Sequence, residues 1–433
     1  MANSLHSILD DLPSISLTRE VGRVIAFDGA IIKVTGVKSI VGAYCSIRNI
    51  RSSRIIKGQC IAFNNECTIF MPFEKVIGIS INDEVVVDAG EGGMPIYESM
   101  EGKCFDAFMS PLEQEADQTV IGTLALYPER LSPLRKERCK QHLLTGVKTI
   151  DACLPLAKGQ RTGIFSGSGV GKTTLFRKLI DTVNVDIKII VLIGERGREV
   201  SEILEQCKET NAPYIIIASS ADQPAVHRAQ ALYTGTALAE HYAEQGKDVA
   251  LYVDSITRFA HALREVKTAA GESASLRGYP SSVFTELASL AERAGNFKDS
   301  GSITGIYTVL VDGDDLDEPI SDNMRAILDG HIILSRAIAD QGQFPAVDVL
   351  KSRSRIILDV FNEADVSTSE KIRKTLASYV DVKDFVDFGG YKKGSNKKID
   401  LIIESYEKLI EKLFSNHGYH QKDLKELLNE LIK

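Results

Sequence analysis

The stretch GIFSGSGVGKTTLF at residues 163–176 constrains this chain more than any other. Gly163-Ile164-Phe165 reads as a buried strand, a glycine-rich bend follows, and Thr174-Leu175-Phe176 opens a helix. Strand, bend and helix in that order present backbone N–H groups at the positive end of a helix, which is a cradle for phosphate. Gly167, Gly169 and Gly171 supply the backbone freedom, Lys172 neutralises the β- and γ-phosphates, and the Thr173 hydroxyl holds Mg²⁺. The nucleotide-binding run is thus Gly167, Ser168, Gly169, Val170, Gly171, Lys172, Thr173 and Thr174. The pattern G-x-x-x-x-G-K-[ST] asks for glycine where this chain has Ser166. A small side chain is tolerated there if the backbone stays out of the left-handed region. The alternative is an ordinary glycine-rich turn.

The surroundings suit the cradle. From about residue 145, the short apolar strands RTGIFS, IKIIVLIG, PYIIIAS, DVALYVD and SITGIYTVLV alternate with helical stretches, the signature of a mostly parallel sheet covered by helices. Residues 21–86 are rich in β-branched residues and turns, with Asp28-Gly29 as a hairpin signal, and predict a small β-barrel or sandwich. After about residue 356 the chain becomes charged amphipathic helix. The expected domains are residues 1–90, a β-barrel with a short N-terminal arm; 91–355, the α/β nucleotide domain; and 356–433, a helical domain. In the arm, Leu5, Ile8, Leu9 and Leu12 fall at helical spacing as an apolar stripe.

Composition excludes several function classes. Acidic residues outnumber basic ones by 59 to 51, for a net charge of −8, which argues against general binding to nucleic acid or an anionic membrane surface. Seven scattered cysteines with no C-x-x-C pair fit a reducing cytoplasm better than a metal or redox centre. No apolar run approaches the roughly 20 residues that span a bilayer, so membrane attachment would be peripheral.

Two acidic residues end apolar strands. Asp254, after DVALYV, is a second Mg²⁺ anchor acting through a bound water, or else a turn or cap residue. Glu195, after IKIIVLIG, is placed to activate an attacking water; Glu195-Arg196-Gly197-Arg198-Glu199 alternatively reads as a solvated charge cluster.

The runs GIFSGSGVGKTTL, VLIGERGREV, LYVDSITRFA, RGYPSSVF, YTVLVDGDDLDEPISDNMRAILDGHIILSR and FPAVDVLKSRSRI resemble the export ATPases of flagellar and type III secretion systems over almost the whole chain. That family is similar to the catalytic subunits of rotary ATP synthases, which implies a multidomain fold: N-terminal β-barrel, RecA-like P-loop domain, C-terminal helices. It also commonly has a small non-glycine residue at the position of Ser166. The resemblance implies hydrolysis of ATP with Mg²⁺, with Glu195 as catalytic carboxylate and Arg196 lining the γ-phosphate pocket beside Lys172. It makes Arg355 an arginine finger reaching the nucleotide of a neighbouring subunit in a homohexamer, with Arg353 as a competitor, and sets Phe344 against the adenine ring. A salt bridge for either arginine and a core position for Phe344 are the plainer alternatives. The second adenine wall is unassigned, and falls to the C-terminal domain.

The implied partners are an export regulator or stator, a stalk protein, the export gate and chaperone-bound substrates, with no nucleic acid. The implied location is cytoplasmic, peripheral at the inner face of the membrane. Departures from the family pattern fall at Asp106–Glu113, where D-G-x-G-x-P-L-D is expected, in the linker 128–146, and at Gln223. A rotary proton or sodium pump shares the site residues but differs in local sequence, and GERGREV and VDGDDLDEP favour the exporter. A hexameric RNA translocase would need stacking aromatics in the barrel, where residues 21–86 offer only Phe27, Tyr44, Phe63, Phe70 and Phe73.

Overall fold

The computed structural model describes residues 20–49, 54–87, 93–113, 119–127, 132–209, 212–275, 277–387, 390–414 and 424–432. The stripe Leu5, Ile8, Leu9 and Leu12 lies outside the described residues. The chain divides into two compact units. The first holds the N-terminal strands with residues 223–227 and 263–273; the second holds the remainder.

In the first unit six strands, Val21–Asp28, Ile31–Thr35, Tyr44–Arg48, Ile55–Phe63, Thr68–Pro72 and Glu84–Val87, close into a barrel. Pairing of the first strand with the sixth, Val21 opposite Val86, decides between barrel and sandwich. Period-two alternation turns Val24, Ile32, Val34, Cys45, Ile47 and Phe70 inward, where they form the core. The expected hairpin forms with Asp28 opposite Ile31, and Gly29 takes φ +62° in the turn. Of the barrel aromatics, Phe70 is fully buried, Tyr44 packs edge-on against Phe73 at 5.4 Å, and Phe27 and Phe63 are exposed.

The second unit is built on a twisted sheet. Its strand order is Arg353–Ser354, Gly330–Ile333, Arg161–Ser166, Ser302–Leu310, Asp248–Asp254, Ile187–Glu195, Tyr214–Ser220 and Lys103–Phe105. All neighbours along this path are parallel except the first pair. Every residue of Ile187–Glu195 is buried, as a central parallel strand covered on both faces requires. The C-terminal helices Glu363–Asp387, Lys397–Phe414 and Leu424–Ile432 bury Ile372, Leu409, Leu413 and Leu427 in the same hydrophobic core as Ile150 and Cys153 of the helix Lys148–Cys153. Lys148 Nζ donates to the Lys412 carbonyl at 3.2 Å across that contact.

The departure at Asp106–Glu113 is a well-tied loop. Asp106 Oδ1 accepts from the N–H groups of Phe108 and Ser110, both at 2.8 Å, and Thr234 Oγ1 donates to the Ala107 carbonyl at 2.7 Å. Met109 occupies the left-handed region at φ +62°, at a position where the family pattern has glycine, while its side chain is fully buried. The strain costs about 1–2 kcal/mol. Burial of a methionine side chain returns about 1.5–3 kcal/mol, and truncation would add a cavity term. Met109→Gly is therefore expected to lower stability by about 1–3 kcal/mol despite the relaxed backbone. A higher denaturant midpoint for the variant would show that strain outweighs packing here.

Candidate active site

The site gathers at the carboxyl ends of the central strands. Ser166 ends its strand paired with Leu310 and keeps a backbone that any residue adopts, so the non-glycine start of the loop carries no strain. Gly169 and Gly171 take φ +78° and +96°, where a side chain would be strained. Gly167 is required for a different reason: a Cβ there would sit 2.0 Å from Asp314 Oδ1. The bend delivers Lys172 and Thr173 to the first turn of the helix Lys172–Thr182.

The structure brings Lys172, Asp254 and Glu195 into one cluster. Lys172 Nζ donates to Asp254 Oδ1, which also accepts from Thr308 Oγ1 at 2.6 Å, and the Asp254 side chain is only 4% exposed. Glu195 is buried at the end of the adjoining strand. Its carboxyl group is pushed up to about 8, first by burial, then by a hydrogen bond with Glu199 and the nearby charge of Asp254, against the opposing pull of Lys172 and Arg258.

Sequence reasoning missed Arg258. Its Nε lies 3.2 Å from Glu195 Oε1, close enough for an ion pair but not aligned as a hydrogen bond, while Nη2 donates to Oε2 at 3.5 Å and Nη1 to the Gly194 carbonyl. The available signal was its spacing: four residues after Asp254 and within the first turn of a helix beginning at Ile256, it points back at the same strand ends. Arg336 was missed too. Its Nη2 donates to the Ser168 carbonyl at 3.0 Å and its Nε to Asp314 Oδ2 at 3.2 Å, so the loop is braced from outside by a pair of residues more than 140 positions along the chain.

Arg196 is exposed beside Glu195, and its guanidinium forms no ion pair or hydrogen bond with another of the described residues. Phe344 is 51% exposed, which removes it from the core, and its ring lies against Gly171 of the phosphate loop. Gln343 is hydrogen-bonded to Tyr406, whose ring stacks on Tyr379 with centroids 3.6 Å apart.

Arg355 sits elsewhere. Its N–H donates to the Asp329 carbonyl at 2.9 Å, and its guanidinium donates to the carbonyls of Arg325 and Ala326 at 3.0 and 3.3 Å, at the end of the helix Pro319–Ile327. Asp329 is gripped bidentately by Arg161, at 2.9 Å for both Nε and Nη2. Arg161 begins the strand that Ser166 ends, so Arg355 stands at the opposite end of the strands from its own phosphate loop, with a strand about 17 Å long at the usual rise between them.

These features define a P-loop nucleotide-hydrolysing enzyme on a RecA-like sheet. Residues 146–354 match the nucleotide-binding domain of the ATP synthase alpha/beta family, and residues 361–432 match the C-terminal domain of the type III secretion ATPase EscN. The chain is 37% identical to the flagellum-specific ATP synthase of Borreliella burgdorferi, covering 100% of this chain and 99% of that one. It is 36% identical to the type 3 secretion system ATPase of Xanthomonas euvesicatoria, over 91% of this chain and 89% of that one. Among solved structures, the assembled ATPase EscN of enteropathogenic E. coli superposes with a TM-score of 0.87 at 34% identity, over 95% of this chain and 99% of that one. The chain belongs to the flagellar and type III secretion ATPase family, and it is an ATPase.

The raised Glu195 carboxyl has a consequence for stability. Between its ordinary range and about 8 the folded chain holds a proton that the unfolded chain releases, so this stabilisation, complete at low pH, is lost as pH rises through about 8. Without nucleotide, the melting temperature of Glu195→Gln relative to the parent should climb from pH 5 to pH 8.5. A difference that is flat with pH would mean that Glu195 is ionised throughout.

Proposed function

We propose that this ATPase converts ATP hydrolysis into protein export through a flagellar or type III secretion apparatus, unloading chaperone-bound substrates. The observation that carries the reading is the clustering of Lys172, Asp254 and Glu195 at one end of the sheet with Arg355 at the other. Lys172 and the loop N–H groups hold the β- and γ-phosphates, and Phe344 lies under the adenine. Tyr406 is proposed as the missing second wall, because it is hydrogen-bonded to Gln343, the residue preceding Phe344.

Mg²⁺ fits the donors available. Thr173 and Asp254 offer hard oxygens, and phosphate oxygens and water would complete the shell. Bound there, it would neutralise charge on the transferring phosphoryl group. Glu195 orients a water and takes its proton, with Arg258 positioning the carboxylate. Arg196 faces the γ-phosphate from the outer side.

Arg355 cannot serve its own site from the far end of a strand about 17 Å long, so it is assigned to a neighbour's in a homohexameric ring. The solved relative EscN is known in its assembled form and in complex with its central stalk, EscO. By analogy this chain would take a stalk protein, a regulator or stator, the export gate and chaperone–substrate complexes. No helix among the described residues is long and apolar enough to cross a membrane, so a place at the cytoplasmic face would come through those partners.

Two measurements test the mechanism. Lys172→Ala should lose nucleotide binding and turnover together, whereas Glu195→Gln should bind MgATP and fail to turn it over. Arg355→Ala should be slow even when assembled, by on the order of 10³-fold, and mixing it with Glu195→Gln should recover part of the activity, because some interfaces then pair an intact carboxylate with an intact arginine. No recovery, with activity per chain independent of protein concentration, would exclude the ring mechanism.

A further inference from the structure

Below the opposite end of the strands, between the strand Arg353–Ser354 and the helix Glu363–Asp387, lies a cavity of about 600 Å³. This is the size of pockets that take small organic ligands. Three cations line it, Lys351, Arg353 and Arg373, against one carboxylate, the exposed Glu370.

The cations are poorly compensated. Arg373 is half-buried, and among the described residues its hydrogen bond runs from Nη2 to the Ser352 carbonyl at 2.9 Å. Arg353 has no acidic partner among the described residues, and Lys351 reaches only Asp348, at 3.8 Å. Burial, helped by the charge of nearby Arg353, holds Arg373 below its usual range against the opposing pulls of Cys153 and Asp348. His331 on the cavity wall is likewise lowered, first by burial and then by Arg325, Arg355 and Arg353. Ser369 Oγ, on the same wall, is buried beside the Cys153 thiol. Arg373, partly desolvated with the exposed Arg353 guanidinium nearby, raises the free energy of the empty pocket, and an anion removes that cost. Leu350, Ile357 and Leu358 add an apolar wall, with Leu358 77% exposed.

We propose that this cavity is a second anion site, taking a small organic phosphate whose phosphoryl group sits between Lys351, Arg353 and Arg373 and whose apolar body lies over Ile357 and Leu358. Planar guanidinium forks suit phosphate oxygens, and Ser369 supplies a hydroxyl donor. The site is separate from the chain's own phosphate loop, which lies at the other end of the strands, and it does not depend on the export reading. Its occupant would bridge the strand beside Arg355 to the first C-terminal helix, so binding would be felt where the ring interface is proposed.

The test is a calorimetric titration of phenyl phosphate into the nucleotide-free full chain, its Lys172→Ala variant, and the variants Arg353→Ser, Arg373→Gln and Leu358→Ser. The expected result is binding to the parent that is unchanged in Lys172→Ala and weakened about tenfold or more in each arginine variant, because each removes a charge-assisted contact. Inorganic phosphate should bind more weakly than phenyl phosphate in the parent and be indifferent to Leu358→Ser. No binding to the parent at millimolar ligand, or binding lost in Lys172→Ala and altered less than about threefold in Arg353→Ser, would overturn the proposal. Should Arg373→Gln fail to fold, Arg353→Ser decides alone, because that side chain is exposed and supports no packing.

Discussion

The contact between Lys172 and Asp254 holds the site together. It joins the helix that follows one strand to the end of another two places away in the sheet, and both side chains are largely out of water. A buried ion pair gains little net stability because desolvation offsets attraction, yet removing one partner leaves an uncompensated charge at high cost. Thr308 lowers that cost by donating to the same oxygen from the strand between them. The pair thereby fixes the lysine at the start of its helix and the carboxylate at its strand end.

Glu195 shows how one neighbourhood sets opposed demands. Burial and a second carboxylate favour its protonated form, while Lys172 and Arg258 favour the charged form. A carboxyl group near 8 is poised for proton transfer at neutral pH, since the balance can be tipped by one added positive charge. Arg258 is the lever on that balance from the protein side. Arg336 and Asp314 do comparable work for the backbone, bracing the phosphate loop from a distant loop whose own residues Gly313 and Asp314 both have positive φ.

The sheet is polar in the sense of having two ends with different duties. At the carboxyl ends of the strands lies the nucleotide cluster. At the other end, Arg161 clamps Asp329, and the turn they fix presents Arg355 outward. The excess of arginine and lysine at that end is balanced only in part by acids, and this imbalance makes the cavity beneath it a candidate for anions.

Much of this was legible in the sequence because it is local. The strand, bend and helix around Lys172, the parallel rhythm of apolar runs, the Gly29 hairpin and the acids ending two strands are set by periodicity and by backbone demands that span a few residues. The residue pattern alone left barrel and sandwich open, and only the resemblance chose the barrel, because pairing of the first and sixth strands is a long-range choice that local patterning does not encode. Arg258, Arg336 and Thr308 were silent for the same reason. Each is an unremarkable residue until the sheet sets its neighbour beside it. Met109 misled in the other direction: a glycine position filled by a large side chain reads as decay, yet the interior accepts the side chain and compensates its backbone strain. The sequence by itself determined which elements form and which residues could carry phosphate chemistry, since both depend on short-range chemistry. Only the tertiary structure decided which charges meet, which stay uncompensated, and that Arg355 faces away from its own nucleotide site, because those depend on strand order and on burial.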